Sequence, residues 1–448
     1  MTPPDPRRLA WQVLRRVETG GPLPELLDDA MARLPADRDR RRLSELVRGT
    51  LRWQGRYDTV LDRLARPGLR VRPPVRTALR LGLHQLLAMD GVPVHAAVHA
   101  TVDLARHAGG AGAARFANAV LREVARRLAR APAGEEPAAA LRDLFPDPAA
   151  DPAGWLSAWH SHPRWLVERW LARWGQEAVE ALLRHDNAVP PQALAVLPPA
   201  DPEAERQALD AAGVPVAPGR LSPRALVLQR RLSRRELGEL LAARRDLLVQ
   251  DEAVLAATEF LLTGAAAPAA DLCAAPGGKT LHLLRRLPPG GVTALDRDRR
   301  RLPDVRAAAK RIAAAPPAVV CADGRRPPLR PGTLATLLLD GPCSGTGVLR
   351  RHPEGRWRLR PETPARNGER LLALALAAAD LLRPGGRLLY GTCSLEPEEN
   401  EQVVARLREA RPDLVPDPVD GAWERHWRPW RDGADGFYAA RLRREVDA

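Results

Sequence analysis

Near residue 250 the chain changes to short apolar runs alternating with helical stretches, and this alternation constrains its fold more than any other feature. The runs are Ala269–Cys273, Val292–Asp296, Ala318–Asp323, Leu334–Asp340 and Arg387–Thr392, with helical stretches between them, notably Glu369–Leu382. Strands that alternate with helices form a parallel sheet with covered faces. A last run, Gly436–Leu442, reads as an edge strand. Residues 249–448 are therefore predicted to form an α/β, Rossmann-like domain.

The rest of the chain reads differently. Its 448 residues exceed what one hydrophobic core organises, so two or three domains are expected. Residues 1–135 are predicted to be all-α. Phe116, Val120, Val124 and Leu128 recur at helical spacing, as do Val94, Val98, Val102 and Ala105, while Asp90-Gly91 and Gly109-Gly110 interrupt the runs. Residues 131–150, rich in Ala, Pro and acidic groups, read as a linker. Next come five of the eleven tryptophans, Trp155, Trp159, Trp165, Trp170 and Trp174, at spacings that suit a helical face broken at Pro163. They read as packing residues more than as base-stacking ones. Residues 150–248 are predicted to form a small α+β connecting domain.

Charge bears on the partner. The formal net charge is +14, and all basic residues but Lys279 and Lys310 are arginine. Residues 1–145 hold 25 Arg against 16 acidic residues. A basic module of this kind suits a polyphosphate partner, because its cations displace condensed counterions. No apolar stretch is long enough to span a membrane. The opening MTPPDPRRLAWQ lacks the apolar core of a signal peptide, so a cytoplasmic location is expected. None of the four cysteines forms a Cys-x-x-Cys pair, and no metal site is expected.

DLCAAPGGKT, residues 271–280, follows one predicted strand and opens a helix. The small residues Ala274, Ala275, Gly277 and Gly278 permit a tight turn and close backbone approach to a ligand. The spacing is neither that of a phosphate-binding loop nor that of a dinucleotide loop. Acidic residues Asp296, Asp323 and Asp340 close the strands that follow. A carboxylate after the second strand can accept from two ribose hydroxyls, a task that either Asp296 or Asp298 could perform. Asp323 could accept from an adenine amino group. Three such carboxylates in register with a glycine loop favour a nucleoside-containing cofactor.

Cys343, in LLLDGPCSGTG, and Cys393, in LLYGTCSLEPEENE, each lie on a loop directly after a strand. Both are thus expected at one rim of the sheet, near the cofactor. Cys321 lies inside an apolar run and reads as a buried core residue, and Cys273 largely so.

These motifs bring a family into view. Residues 250–445 resemble the RNA cytosine-5 methyltransferases of the Sun/RsmB/Nop2 group, on DLCAAPGGKT, LLLDGPCSGTG with RRHPEGRW, YGTCSLEPEENE and DGFYAARL. The N-terminal RFANAVLREV resembles the end of a NusB-like RNA-binding domain. HPRWLVERWLARWG and LLVQDEAVL resemble the connecting region of the bacterial RsmB-type members, which act on small-subunit ribosomal RNA. The resemblance implies S-adenosyl-L-methionine as cofactor, held by Cys273, Ala274, Ala275, Pro276, Gly277, Gly278, Lys279, Asp296, Asp323 and Asp340. It implies Cys393 as nucleophile and Cys343 as the residue that assists release, in a monomeric protein that binds RNA. Three positions depart from the pattern: Gly341 replaces the usual Ala before Pro-Cys, Val254 a common Ser, and Leu194–Leu197 an Arg-Val-Asn stretch.

The chemistry explains two thiols. Carbon 5 of cytosine is a poor nucleophile until a thiolate adds to carbon 6, and the carbon 5 proton must afterwards leave. A carboxyl such as Asp340 can support the adduct at N3. The attacking thiol must ionise more easily than a free cysteine, and Lys279, Arg350, Arg351 and His352 are candidates to assist it. DNA cytosine-5 enzymes lack the Thr-Cys partner. The readings that compete most closely are a tRNA cytosine-5 methyltransferase and a non-catalytic ribosome-assembly factor.

Overall fold

The computed structural model describes residues 5–446 apart from Ala133 and Ala313. The outermost ends of the first and last predicted domains, and one residue of the predicted linker, thus lie outside the described residues. The chain folds as two compact units, Met1–Ala188 with Leu349–Arg358, and Val189–Val348 with Leu359–Ala448.

The first unit is helical: α1 (Pro6–Glu18), α2 (Leu23–Ala32), α3 (Asp37–Arg52), α4 (Gln54–Leu64), α5 (Pro73–Leu87), α6 (Val94–Leu128), α7 (Pro152–His160) and α8 (Arg164–Asn187). Local chemistry starts several of them. Asp5 and Asp151 accept from the free amides of Arg7 and Gly154, each just ahead of a proline in the first turn. Helix α6 bends at Gly110, whose φ of +76° only glycine adopts freely.

Two sequence expectations need correction here. Residues 131–150 do not run as a free linker: Pro137–Leu144 form a 3-10 turn, and Leu141, Leu144 and Phe145 join the helical core. The apolar face of the first half of α6 is also rotated from the expected one. Ala97, Thr101, Leu104 and Ala105 are buried while Val94 is exposed. The tryptophans pack, as read. Trp170 is fully buried, Trp155 stacks on Trp159 at 4.7 Å, and the Arg56 guanidinium lies over both Trp53 and Trp159. Their helices α7 and α8 group with the N-terminal unit and not with the sheet that follows.

Leu349–Arg358, which contains RRHPEGRW, belongs to this helical unit although it lies far along the chain. Arg356 is completely buried. Its guanidinium donates to Asn187 Oδ1 at 2.9 Å and to the carbonyls of Ser161 at 3.0 Å and Asp186 at 3.1 Å. The Trp357 indole donates to the Leu51 carbonyl.

The second unit holds two sheets. The smaller has β1 (Ala193–Val196), β2 (Val216–Pro218), β3 (Ala225–Leu228) and β4 (Leu247–Val249) in the order β2-β3-β1-β4, all antiparallel. It carries α9 (Pro202–Ala211) and α10 (Arg234–Ala243), the latter opened by a reciprocal cap between Ser233 and Glu236. This is the expected α+β module. The departure at Leu194–Leu197 has a physical basis: all four residues are buried in β1 or at its end and present nothing to solvent.

The larger, eight-stranded sheet follows α11 (Glu252–Leu262). Its strands are β5 (Ala269–Asp271), β6 (Val292–Asp296), β7 (Ala318–Cys321), β8 (Leu334–Asp340), β9 (Leu382–Thr392), β10 (Leu414–Pro416), β11 (Glu424–Trp427) and β12 (Phe437–Arg444). The helices are α12 (Gly278–Leu284), α13 (Leu302–Arg311), α14 (Thr363–Leu381) and α15 (Glu401–Ala410). The order is β10-β12-β9-β8-β5-β6-β7, with β11 paired to β12. β7 through β9 are mutually parallel, and β12 returns antiparallel to β9. Gly436–Leu442 is therefore not an edge strand, because β12 has neighbours on both sides. β10 and β11 flank it on the outer side, and at the opposite end the edge is β7, where Cys321, expected to be buried, is exposed. The core lies between the sheet and α14, where Leu337, Leu339, Leu371, Ala375, Ala378 and Leu388 are buried together.

Candidate active site

The strand order places the site. The chain runs from β5 outward to β6 and β7, then returns to the other side of β5 with β8 and β9. The loops at the carboxyl ends of β5, β8 and β9 are thereby neighbours, at the switch point where open α/β sheets bind ligands. These loops carry DLCAAPGGKT, Cys343 and Cys393.

After β5 the backbone turns through Gly277, with φ of +111°, into α12. Asp271 is buried at the strand end, where it accepts from Thr280 Oγ1 at 2.7 Å and from the Cys273 amide. Burial pushes its carboxyl up to about 7, against the pull of the Thr280 hydroxyl. A free Asp titrates near 4. Between those values the native state holds a proton that the unfolded chain has released. The Asp271 contribution to stability is thus present below about pH 4 and lost as pH rises through about 7. Asp271→Asn should flatten the fall in melting temperature between pH 5 and pH 8. An unchanged slope would show that Asp271 does not titrate in this range.

A cleft of about 350 Å³ opens beside this loop, lined by Leu272, Cys273, Ala275, Asp296, Asp298, Asp323, Gly324, Asp340, Pro342 and Leu374 among others. Asp296 is fixed by accepting from the Ala275 amide at 3.1 Å and the Asp298 amide at 2.8 Å. Its carboxylate and that of Asp298 both line the cleft. Asp298 is paired with Arg300 and held down to about 2 by it. Asp323 is exposed, and Arg325 grips its carboxylate and holds it down to about 2. S-adenosylmethionine fits this donor set: carboxylates for a ribose diol, flanked by apolar Leu272, Pro342 and Leu374 for a flat base. The Cys273 thiol is pushed well up by burial and by nearby Asp271, as befits a protonated packing residue.

The Cys343 and Cys393 sulfurs lie 3.4 Å apart, within hydrogen-bond reach, and both side chains are half-buried. The bond with Cys393, together with burial, pushes the Cys343 thiol well up, so Cys343 keeps its proton. Lys279 Nζ lies 2.5 Å from Asp340 Oδ2 and over the Phe437 ring. Of the groups expected to assist a thiolate, Lys279 is thus part of the same loop cluster. Arg350, Arg351 and His352 belong instead to the helical unit, where the Arg350 and Arg351 carbonyls accept from Arg52 and Arg48.

One residue of this site went unassigned in the sequence. Glu399 is completely buried. Its Oε1 accepts from the Ser344 amide at 2.7 Å and from Asn367 Nδ2 at 2.8 Å; its Oε2 accepts from Ser344 Oγ at 2.5 Å and from Ser394 Oγ. Burial pushes its carboxyl up, and these four donors oppose the shift. Two signals pointed to it. One is the acidic run EPEENE directly after Cys393. The other is Gly368 inside α14, where a Cβ would come within 2.2 Å of the Glu398 carbonyl. Gly341, the departure before Pro-Cys, is matched by Leu371, whose Cδ2 lies 2.1 Å from where an alanine Cβ would sit.

Comparison with known proteins agrees with this geometry. The 16S rRNA methyltransferase RsmB/F description matches residues 266–443, the NusB family residues 4–126, and the RsmF/B ferredoxin-like domain residues 162–234. The ribosomal RNA small subunit methyltransferase B of Xylella fastidiosa strain 9a5c is 35% identical over 449 residues, 96% of this chain and 98% of that one. That of Vibrio cholerae is 34% identical over 419 residues, 91% and 90% of the two chains. The chain belongs to the RsmB/F methyltransferase family. The crystal structure of PH0851, 24% identical, shares the fold with a TM-score of 0.76 over 100% of this chain and 99% of that one. The chain combines a NusB helical domain, a ferredoxin-like sheet and a methyltransferase sheet. Among the described residues no helix is long and apolar enough to cross a membrane.

Proposed function

We propose that this protein methylates carbon 5 of a cytosine in small-subunit ribosomal RNA, using S-adenosylmethionine, through a covalent bond between Cys393 and carbon 6. The observation that carries this reading is the pair of thiols 3.4 Å apart, on adjacent strand-end loops beside the cofactor cleft. One of them hydrogen-bonds the other, so the pair can share a single negative charge.

The cofactor supplies an electrophilic methyl group. Cys393 attacks as thiolate while Cys343 remains protonated. The sulfur–carbon 6 bond forms, and the π pair of the carbon 5–carbon 6 double bond becomes available at carbon 5. The Lys279–Asp340 pair supplies a proton or a hydrogen bond at N3, which stabilises the adduct. Carbon 5 takes the methyl group. Once Cys393 is bonded to carbon its charge is gone, and with it the first of the causes that hold the Cys343 thiol up. Cys343 then releases its proton to water and, as thiolate, removes the proton from carbon 5. The double bond re-forms, Cys393 leaves as thiolate, any proton taken up at N3 returns to the Lys279–Asp340 pair, and the starting state is restored. The target base must leave its stack for carbon 6 to be reached. The arginine-rich helices hold flanking RNA through phosphate contacts, which fix position more than they read sequence.

Bisulfite sequencing of total RNA from a strain lacking the gene tests the reading in the cell. Loss of one small-subunit rRNA 5-methylcytosine is expected. Persistence of every 5-methylcytosine would refute it, and loss confined to a tRNA would redirect it.

A further inference from the structure

Glu399 touches neither thiol, yet it binds the residue after each of them. Its dependents are not equally placed. On the Cys393 side, Ser394 has other supports: its carbonyl accepts from Asn400 Nδ2 at 2.9 Å and its amide donates to Thr392 Oγ1. The Gly347 amide donates to the Cys393 carbonyl, a bond that ties the two loops to each other. On the Cys343 side, the Ser344 amide and hydroxyl both donate to Glu399, and the Ser344 hydroxyl otherwise lies 3.1 Å from that of Ser394, whose proton also goes to Glu399. The carboxylate is in turn seated against α14 by Asn367, and the Tyr390 hydroxyl donates to the Glu399 carbonyl. Removing this carboxylate therefore frees Ser344, next to Cys343, more than Ser394, next to Cys393.

We propose that Glu399 is a positioning residue for product release: it clamps the Cys343 loop so that this thiol faces carbon 5 of the adduct formed on Cys393. The proposal rests on the roles given above to the two cysteines. It follows that loss of the clamp impairs the second half of the reaction while leaving the first. A displacement of about 1 Å at a reacting group costs on the order of 100-fold in rate.

The test uses full-length protein, methyl donor and small-subunit rRNA, with denaturing gels to count covalent protein–RNA species and turnover measured in parallel. Glu399→Ala should turn over roughly 100-fold more slowly and accumulate the covalent species. Glu399→Gln should restore most of the turnover without accumulation. Its amide oxygen can accept from the Ser344 amide and Asn367, and its amide nitrogen can donate to two hydroxyls free to rotate. Ser344→Ala, which deletes one contact and spares the rest, should shift the same way by a smaller factor. Cys343→Ala serves as reference. Failure of that variant to trap RNA would refute the cysteine roles. Trapping by Cys343→Ala, but slow turnover without trapping in both Glu399→Ala and Ser344→Ala, would refute the positioning role alone. Accumulation in Glu399→Gln equal to that in Glu399→Ala would equally overturn the hydrogen-bonded clamp.

Discussion

Cys343→Ala will trap a covalent protein–RNA complex when given RNA and methyl donor, and Cys393→Ala will form none. The difference follows from the separate roles proposed above for two thiols 3.4 Å apart. The bond to Cys393 and burial push the Cys343 thiol up, which favours its protonated form before attack. Without Cys343 the attack and methyl transfer still proceed, but the carbon 5 proton has no base within reach, and the enzyme stops at one turnover with RNA attached. Without Cys393 no bond to carbon 6 forms. Loss of a nucleophile of this kind lowers turnover by roughly 10⁴-fold or more, and no shifted band is expected on a denaturing gel. A shifted band from Cys393→Ala, or from both variants, would reverse or remove the division of labour.

The second large effect concerns stability and lies in the helical unit. Arg356→Ala should destabilise that unit by about 3–5 kcal/mol, the range seen when a hydrogen-bonded buried charge is deleted. Arg356 is completely enclosed, and burial draws its guanidinium down to about 10, with Asp186 opposing the shift; it is still charged at neutral pH. Its removal strands the carbonyls of Ser161 and Asp186 and the Asn187 side chain in a space that water does not reach. Arg356→Lys should rescue little, because a single ammonium cannot replace a planar fork that serves acceptors on two sides. For a unit of this size each kcal/mol lowers the melting temperature by roughly 2–4 °C, so a drop of about 10 °C is expected in calorimetry. A shift below about 2 °C would mean that the Leu349–Arg358 segment is only loosely seated.

The two predictions rest on residues of different legibility. Cys343 and Cys393 were readable because each follows a recognisable strand, and parallel strands deliver their carboxyl-end loops to one rim. The five parallel strands were found within a few residues because each carries a short apolar run; β5 and β8 are buried along their length, whereas β7, at the edge, is not. β10 and β11 were missed because they are short and only partly buried, so neither stands out as an apolar run. Cys321 was misjudged because an apolar run does not say whether its strand is central or at an edge. Residues 131–150 looked like a linker by composition, yet Leu141, Leu144 and Phe145 suffice to pin the segment to the core. Arg356 and Glu399 share a deeper obstacle. Arg356 meets partners 169 to 195 positions away, and Glu399 joins Ser344 and Asn367 from another loop and helix. Only the folded chain brings them together.

The most direct test of the chemistry is to incubate the wild-type protein with small-subunit rRNA and methyl-labelled S-adenosylmethionine, then digest the RNA and separate its nucleosides. The mechanism predicts that all label taken up by the RNA elutes as 5-methylcytidine. Label in any other nucleoside would contradict it, because no addition at carbon 6 of cytosine would then have been needed.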